Sequence, residues 1–132
     1  MAIKNWKYVK PLNNPNAIEE FEKAHGVIFP EDLKEIIKCY NGGRPELKLY
    51  DTATEKDKEF KTLLSFNETD IENIYKYCDV DSSNKTMIPF ASDSAGNLFV
   101  LKDGKICFWN HETDSVQFLS DTFSDFLGAL HQ

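Results

Sequence analysis

A histidine and a glutamate are adjacent at positions 111 and 112, and this pair comes nearest to a catalytic motif. A zinc protease of the His-Glu-x-x-His type needs a second histidine four residues after the first, on the same helix. The residue four after His111 is Ser115, and the polar segment around it is typical of a turn between two strands. The sequence therefore predicts a polar turn, with Glu112 bonded to backbone amides or contacting a partner, and no metal centre.

The three cysteines, Cys39, Cys78 and Cys107, are widely spaced and form no Cys-x-x-Cys motif, so they indicate neither a zinc site nor a redox pair. Cys39 lies next to the apolar face of a predicted helix and Cys107 within a predicted strand, which predicts two small buried side chains. A catalytic thiol needs a histidine beside it in the fold. A hydrolase that uses Cys39 or His111 stays an open alternative, because spacing along the chain does not show which side chains meet.

The composition restricts the class of protein. The chain has 132 residues, 41% of them hydrophobic, and a net charge of −7, which predicts a single domain over residues 1–132 with its own core. Phosphate binding needs clustered Lys and Arg, so nucleic acid is not expected as a direct ligand. The start of the chain lacks the apolar segment of a secretory signal, and no apolar run approaches the ~20 residues that span a bilayer. We therefore expect a cytoplasmic protein with reduced thiols that does not insert into membranes.

Apolar residues repeat with helical spacing in four segments. The predicted helices occupy residues 15–25, 30–40, 69–79 and 121–132. Asn16 with Glu19, and Thr69 with Glu72, predict capping boxes at the starts of the first and third helices. The apolar face of the third helix is expected to include Ile71.

Strand-like segments fill most of the rest of the chain. The predicted strands occupy residues 46–50, 61–66, 86–91, 97–102, 105–110 and 115–120, with loops at 51–60 and 80–85. Asp103–Gly104 is a strong hairpin signal, and Pro89 predicts an edge strand or a bulge. The run Leu98–Leu101 is apolar on both faces, so it needs cover on both sides. The order of elements predicts an α+β fold, an antiparallel β-meander flanked by about four helices.

The negative charge is concentrated in residues 51–81, which hold nine acidic and four basic residues, a net charge of −5. Such a segment is either a solvated face or a docking surface for a basic partner. If it binds a partner, the expected contact residues are Asp51, Glu68, Asp70, Glu72, Asp79 and Asp81, with Trp109 and Glu112 from the meander. Trp109 or Tyr50 could supply an aromatic anchor.

Four segments in this order resemble the SUKH superfamily, which includes the yeast glucan-synthesis regulators and many bacterial immunity proteins. They read FPEDLKEIIKCYNGG, IPFASDSAGNLFVL, ICFWNHE and DTFSDFLGAL, and the resemblance extends over about Ile18–Leu130. It implies a single α+β domain without catalytic activity, which in bacteria commonly binds and neutralises a cognate polymorphic toxin, often a nuclease.

The leading hypothesis is therefore a cytoplasmic immunity protein with a basic toxin as its partner, and with no cofactor or bound metal. A regulatory scaffold of the cell-wall-synthesis regulator type is the alternative within the family. It is less favoured, because the yeast regulators carry long disordered arms that this chain lacks.

Overall fold

The structure, a computed structural model, describes residues 5–78 and 87–132. Within this part the helices are α1 (Ala17–His25), α2 (Glu31–Tyr40), α3 (Ile74–Cys78) and α4 (Phe123–Gly128). The strands are β1 (Trp6–Lys7), β2 (Arg44–Pro45), β3 (Leu49–Tyr50), β4 (Lys58–Glu59), β5 (Thr62–Leu63), β6 (Met87–Ser92), β7 (Leu98–Lys102), β8 (Lys105–Asn110) and β9 (Ser115–Ser120). Helices and antiparallel sheets together confirm the predicted α+β class.

The main sheet has five antiparallel strands in the order β5-β6-β7-β8-β9. The predicted hairpin between β7 and β8 is confirmed, with positive φ at Asp103 (53°) and Gly104 (76°) as its tight turn requires. Strand β6 is internal, and its pairing with β7 shifts register between Pro89 and Ala91. Pro89 therefore marks a bulge, since an internal strand tolerates proline only where the ladder is interrupted.

Strand β7 is buried on both of its faces, as its apolar run predicts. Leu98 and Val100 are buried on one face, and Phe99 is buried on the other. The ring centroid of Phe99 lies 5.7 Å from that of Phe126 in α4 and 4.8 Å from that of Phe60. The last helix thus covers one face of the meander.

Two short strand pairs were not predicted as such. Strand β1 pairs with β2, and β3 pairs with β4. The pairing of β4 corrects the expectation of a loop over residues 51–60. The strand predicted at 46–50 contains β3, which is shorter than predicted, but two residues per strand are too few for alternation to reveal the other three strands.

The predicted capping box at the start of α1 is wrong. Asn16 occupies the position before the helix, but its side chain makes no capping hydrogen bond. The Asn14 side chain makes the local hydrogen bonds instead. Its Oδ1 accepts from the Asn16 N–H (3.0 Å) and its Nδ2 donates to Glu20 (3.0 Å). Because an Asx turn forms two residues earlier, the helix begins at Ala17 rather than Pro15.

The third helix is shorter than predicted, and its predicted capping box is also wrong. It begins at Ile74, and the Asn73 Oδ1 accepts the Lys76 N–H at 3.0 Å, in the manner of an N-cap. Residues 68–72 form turns, which leaves Ile71 81% exposed instead of on a buried helical face. The expected loop at 80–85, the start of the strand at Thr86, and Asp79 and Asp81 lie outside the described residues.

Candidate partner-binding site

The segment 66–73, here called the 66–73 loop, is fastened to the fold by buried amide side chains. Asn67 Nδ2 donates to the Pro11 carbonyl oxygen (2.9 Å), and its Oδ1 accepts the Asn13 N–H (2.8 Å). Asn73 Nδ2 donates to the Asp70 carbonyl oxygen at 2.9 Å. Asn67 and Asn73 are each 5% exposed, so these bonds replace water contacts that the buried backbone cannot make.

A second set of buried bonds ties the base of this loop to the end of α2. Asn41, 1% exposed, donates from Nδ2 to the Ser65 hydroxyl (2.9 Å) and accepts the Phe66 N–H at Oδ1 (2.8 Å). The Ser65 hydroxyl donates in turn to the Asp70 carboxylate, which also accepts from Asn67 Nδ2 at 3.2 Å. The structure therefore places Asp70, one of the predicted contact residues, in an internal network.

The other two acidic residues of the loop differ from each other. Glu72 is partly buried and pairs with Lys61 at 2.8 Å. Glu68 is exposed, and so is Ile71 three residues further along. The loop thus presents to solvent the carboxylate of Glu68, which has no ion pair within the described part of the chain, and the large apolar side chain of Ile71, on a backbone that buried hydrogen bonds fix.

A groove of about 380 Å³ opens beside the loop. Its lining includes the cations Lys10 and Arg44 together with Asp70, Ile71 and Glu72. A groove with both signs of charge and an apolar lip is suited to a protein side chain from a partner.

Asp51 lies elsewhere, at the β3–β4 hairpin, where it meets the end of the chain. Its Oδ1 accepts the Asp57 N–H (2.8 Å) and lies 3.1 Å from His131 Nε2. The Asp57 N–H and then His131 lower the pKa of Asp51, while the Gln132 carbonyl and then Asp51 raise the pKa of His131. Ligand atoms of Asp51, Asp57 and His131 lie within 4.8 Å of one another, close enough to hold a metal ion, but the contacts among them describe a surface ion pair.

Trp109 and Glu112 lie at a third place, around the β8–β9 turn. Trp109 is half-buried, and its Nε1 donates to Asp114 at 2.7 Å. Glu112 is exposed, and its N–H donates to the Asn110 side chain at 2.9 Å. His111 lies in the polar turn that the sequence predicts, and its Nε2 is 3.1 Å from the Ala95 carbonyl oxygen, a contact that was not predicted.

Two predictions about buried and exposed side chains are wrong. Tyr50 is 2% exposed, so it cannot anchor a partner, and burial raises the pKa of its hydroxyl. Cys39 is exposed, because it lies about 200° around α2 from the buried Ile37. Cys107 is buried as predicted, and burial raises the pKa of its thiol.

Comparison with known proteins decides the family. The family model of the SMI1 / KNR4 family (SUKH-1) matches residues 13–129. This chain belongs to the SUKH-1 family. No curated protein matches the chain.

The span that matches the SUKH-1 family contains the 66–73 loop and the β8–β9 turn, whereas His131 lies beyond it. In the described part of this SUKH-1 protein, no helix is long and apolar enough to cross a membrane. The predicted contact residues that the structure describes lie in three places: the hairpin with Asp51, the 66–73 loop, and the turn with Trp109 and Glu112.

Ile71 is the exposed residue that the sequence interpretation missed. It fits the helical spacing of Ile74, Tyr75 and Cys78, so periodicity alone places it on a buried face. The signal against a helix was the polar run from Asn67 to Asn73, since Asn, Thr and Asp favour turns over helix interiors.

Proposed function

We propose that this SUKH-1 protein is a cytoplasmic immunity protein that binds a cognate toxin domain and blocks its active site or its access to substrate, without catalytic activity of its own. The observation that carries the proposal is the 66–73 loop, where Ile71 is 81% exposed on a backbone fixed by buried amides. A loop that is ordered before binding loses little conformational entropy when it binds. An exposed apolar side chain on such a loop is suited to act as an anchor.

The charge of the chain supports a basic partner. The net charge is −7, and residues 51–81 contribute −5 of it. This net value already counts the lysines, of which Lys58 pairs with Glu55 and Lys61 with Glu72, whereas Glu68 has no ion pair among the described residues. A nuclease, whose own surface must attract phosphate, is a suitable partner because acidic and basic patches attract each other over long distances.

The proposal is tested by capture followed by neutralisation. The tagged protein and its Ile71→Asp variant are used as baits in the protein's own cells, at low and moderate salt. The domain that is captured in stoichiometric amount is then expressed alone and together with each bait. We expect the wild-type protein to bind this domain and to restore growth, and Ile71→Asp to do neither.

The matched control is Ile28→Asp on the connection between α1 and α2, because Ile28 is also a large exposed apolar residue (88%). This variant is expected to behave as the wild type does. Capture of cell-wall synthesis or secretion proteins, with no toxic domain among them, would contradict the immunity function and favour the regulatory scaffold. Equal losses in the two variants would contradict the role of the loop.

A further inference from the structure

Strand β9 forms one edge of the main sheet. It pairs with β8 in a regular ladder from Asn110 opposite Ser115 to Cys107 opposite Phe118, and a register shift follows at its C-terminal end. Among the described residues, β8 is its one neighbour in the sheet. The strand reads SVQFLS, so it carries none of the charges or prolines that usually prevent further pairing at an edge.

The side chains of β9 also favour a further strand. Phe118 is 57% exposed, and Val116, two residues away on the same face, is half-buried and pairs with Trp109. A strand added at this edge would place a side chain beside Phe118 and cover it. Edge pairing supplies backbone hydrogen bonds, and the exposed ring supplies apolar contact.

A second copy of the chain is a poor occupant of this edge. A symmetrical antiparallel pairing of the six β9 residues would set Asp114 of each copy opposite Asp121 of the other. Like charges directly opposite each other destabilise a strand pair. Residues 106–130 contain four acidic residues and neither Lys nor Arg, and Lys105, which lies 3.1 Å from Asp121, offsets only part of the repulsion.

We propose that the β9 edge accepts an extended segment of the partner protein, with alternating apolar and polar side chains and with Lys or Arg at both ends. The apolar side chains pack on Phe118 and Val116, and the basic ends lie near Asp114 and Asp121. Asp121 also contacts Lys105 at 3.1 Å, so the stronger of the two attractions is expected at Asp114. The proposal rests on the proposed function in one respect: the segment is taken to belong to the same partner protein that the 66–73 loop binds.

The test uses a synthetic peptide, Lys-Thr-Val-Thr-Val-Thr-Val-Lys, and a control peptide with Glu at both ends. Amide hydrogen exchange of the full chain is followed residue by residue by NMR during titration with each peptide. We expect the Lys-ended peptide to slow exchange at 115–120 and to bind about tenfold more tightly than the Glu-ended peptide. Phe118→Lys should abolish the effect, and Ile28→Lys, at an exposed site outside the sheet, should not.

Three outcomes would overturn the proposal. Unchanged exchange at 115–120 with millimolar peptide would show that the edge does not accept a strand. Equal binding of both peptides would show that basic residues at the ends of the segment do not contribute to binding at this edge. A dimer in sedimentation that Phe118→Lys dissociates would assign the edge to a second copy. Ile71→Asp should leave peptide binding intact, so failure of the immunity function and failure of the β9 proposal can be told apart.

Discussion

At the scale of single residues, buried asparagines determine the shape of the candidate site. A carboxamide both donates and accepts hydrogen bonds, so it can satisfy a backbone N–H and a backbone C=O at once without charge. Asn41, Asn67 and Asn73 all act in this way, around a loop whose backbone is neither helix nor strand. The side chains that we propose contact a partner, Glu68 and Ile71, therefore depend on buried asparagines for their positions.

The first prediction concerns Asn41→Ala. This change leaves the buried Phe66 N–H without its acceptor and removes the donors to Lys10 and Ser65, so we expect a loss of about 2–3 kcal/mol in the free energy of unfolding. Chemical denaturation of the wild type and the variant measures this loss. The control is Asn5→Ala, whose single bond to Glu46 is exposed and should contribute less than about 0.5 kcal/mol. A similar small effect for both variants would contradict the structural role of the network.

The second prediction concerns the contact between His131 and Asp51. The pKa of His131 is raised above its ordinary 6.5, so its stabilisation is complete below that pH and is lost as the pH rises through the folded value. The pKa of Asp51 is lowered below its ordinary 3.8, so its stabilisation is present above that pH and is lost as the pH falls through the folded value.

The pair should therefore stabilise the fold most between about pH 4 and 6.5. The Tm of the wild type should exceed that of His131→Gln in this range, and the difference should shrink as the pH rises through the raised pKa of His131. His111→Gln, whose ring faces the Ala95 carbonyl oxygen, is the control. A difference in Tm that is constant from pH 4 to 9 would show that the His131 ring acts through packing and not through its charge.

At the scale of elements, prediction from sequence succeeds where a pattern is repeated several times. The β7–β8 hairpin, the β9 strand and α4 each combine a periodic apolar pattern with a turn or cap residue; the hairpin and β9 occur where predicted, and α4 ends at Gly128, four residues before the predicted end. The start of α3 and the strands β1, β2 and β4 were not predicted, because one side chain such as Asn73 or one pair of residues decides them, whereas β3 and β5 lie within the predicted strands 46–50 and 61–66. The acidic stretch was predicted as one surface, but the chain folds it into two separate places, around Asp51 and around Glu68, which no local pattern could show.

The third prediction concerns the end of α2, where two adjacent positions require glycine for different reasons. Gly42 has φ of +67°, which disfavours other residues, as expected for a helix stop. At Gly43 the limit is space, since a Cβ atom would lie 2.8 Å from the Tyr40 carbonyl oxygen and 3.3 Å from Trp6. We expect Gly43→Ala to lower the free energy of unfolding by about 1–3 kcal/mol and to shift the fluorescence of Trp6.

The control for Gly43→Ala is Gly128→Ala at the end of α4. A Cβ atom there would meet nothing within 4 Å, and its φ is not positive, so the substitution should be neutral or stabilise by up to about 1 kcal/mol. Thermal unfolding followed by circular dichroism compares the two. Equal stability of both variants would mean that the β1–β2 pair moves aside without cost.

At the scale of the whole molecule, most of the aromatic side chains in the described residues belong to two groups. Around α1, Phe21 meets Phe29, Phe66 and Tyr75, with ring centroids 5.4–5.9 Å apart. Around the meander, a larger group centres on Phe99. Both groups belong to one continuous set of buried residues, which also includes Leu33 and Leu64. Continuity of the core predicts that the described parts fold and unfold together.

The fourth prediction tests this continuity with the two tryptophans, which lie in different parts of the molecule. Trp6 stacks on Tyr40 at the end of α2, and Trp109 lies in β8. Single-tryptophan variants, Trp6→Phe and Trp109→Phe, should each give one unfolding transition, and the transition should coincide with circular dichroism of the same variant. Adding Phe126→Ala removes a ring that lies 5.7 Å from Phe99, and we expect it to lower the free energy of unfolding by about 3–5 kcal/mol for both probes equally.

If the Trp6 signal kept its midpoint while the Trp109 signal shifted, the chain would consist of two units. The 66–73 loop and the β9 edge would then be surfaces of two independent bodies, and a partner could hold them in more than one arrangement.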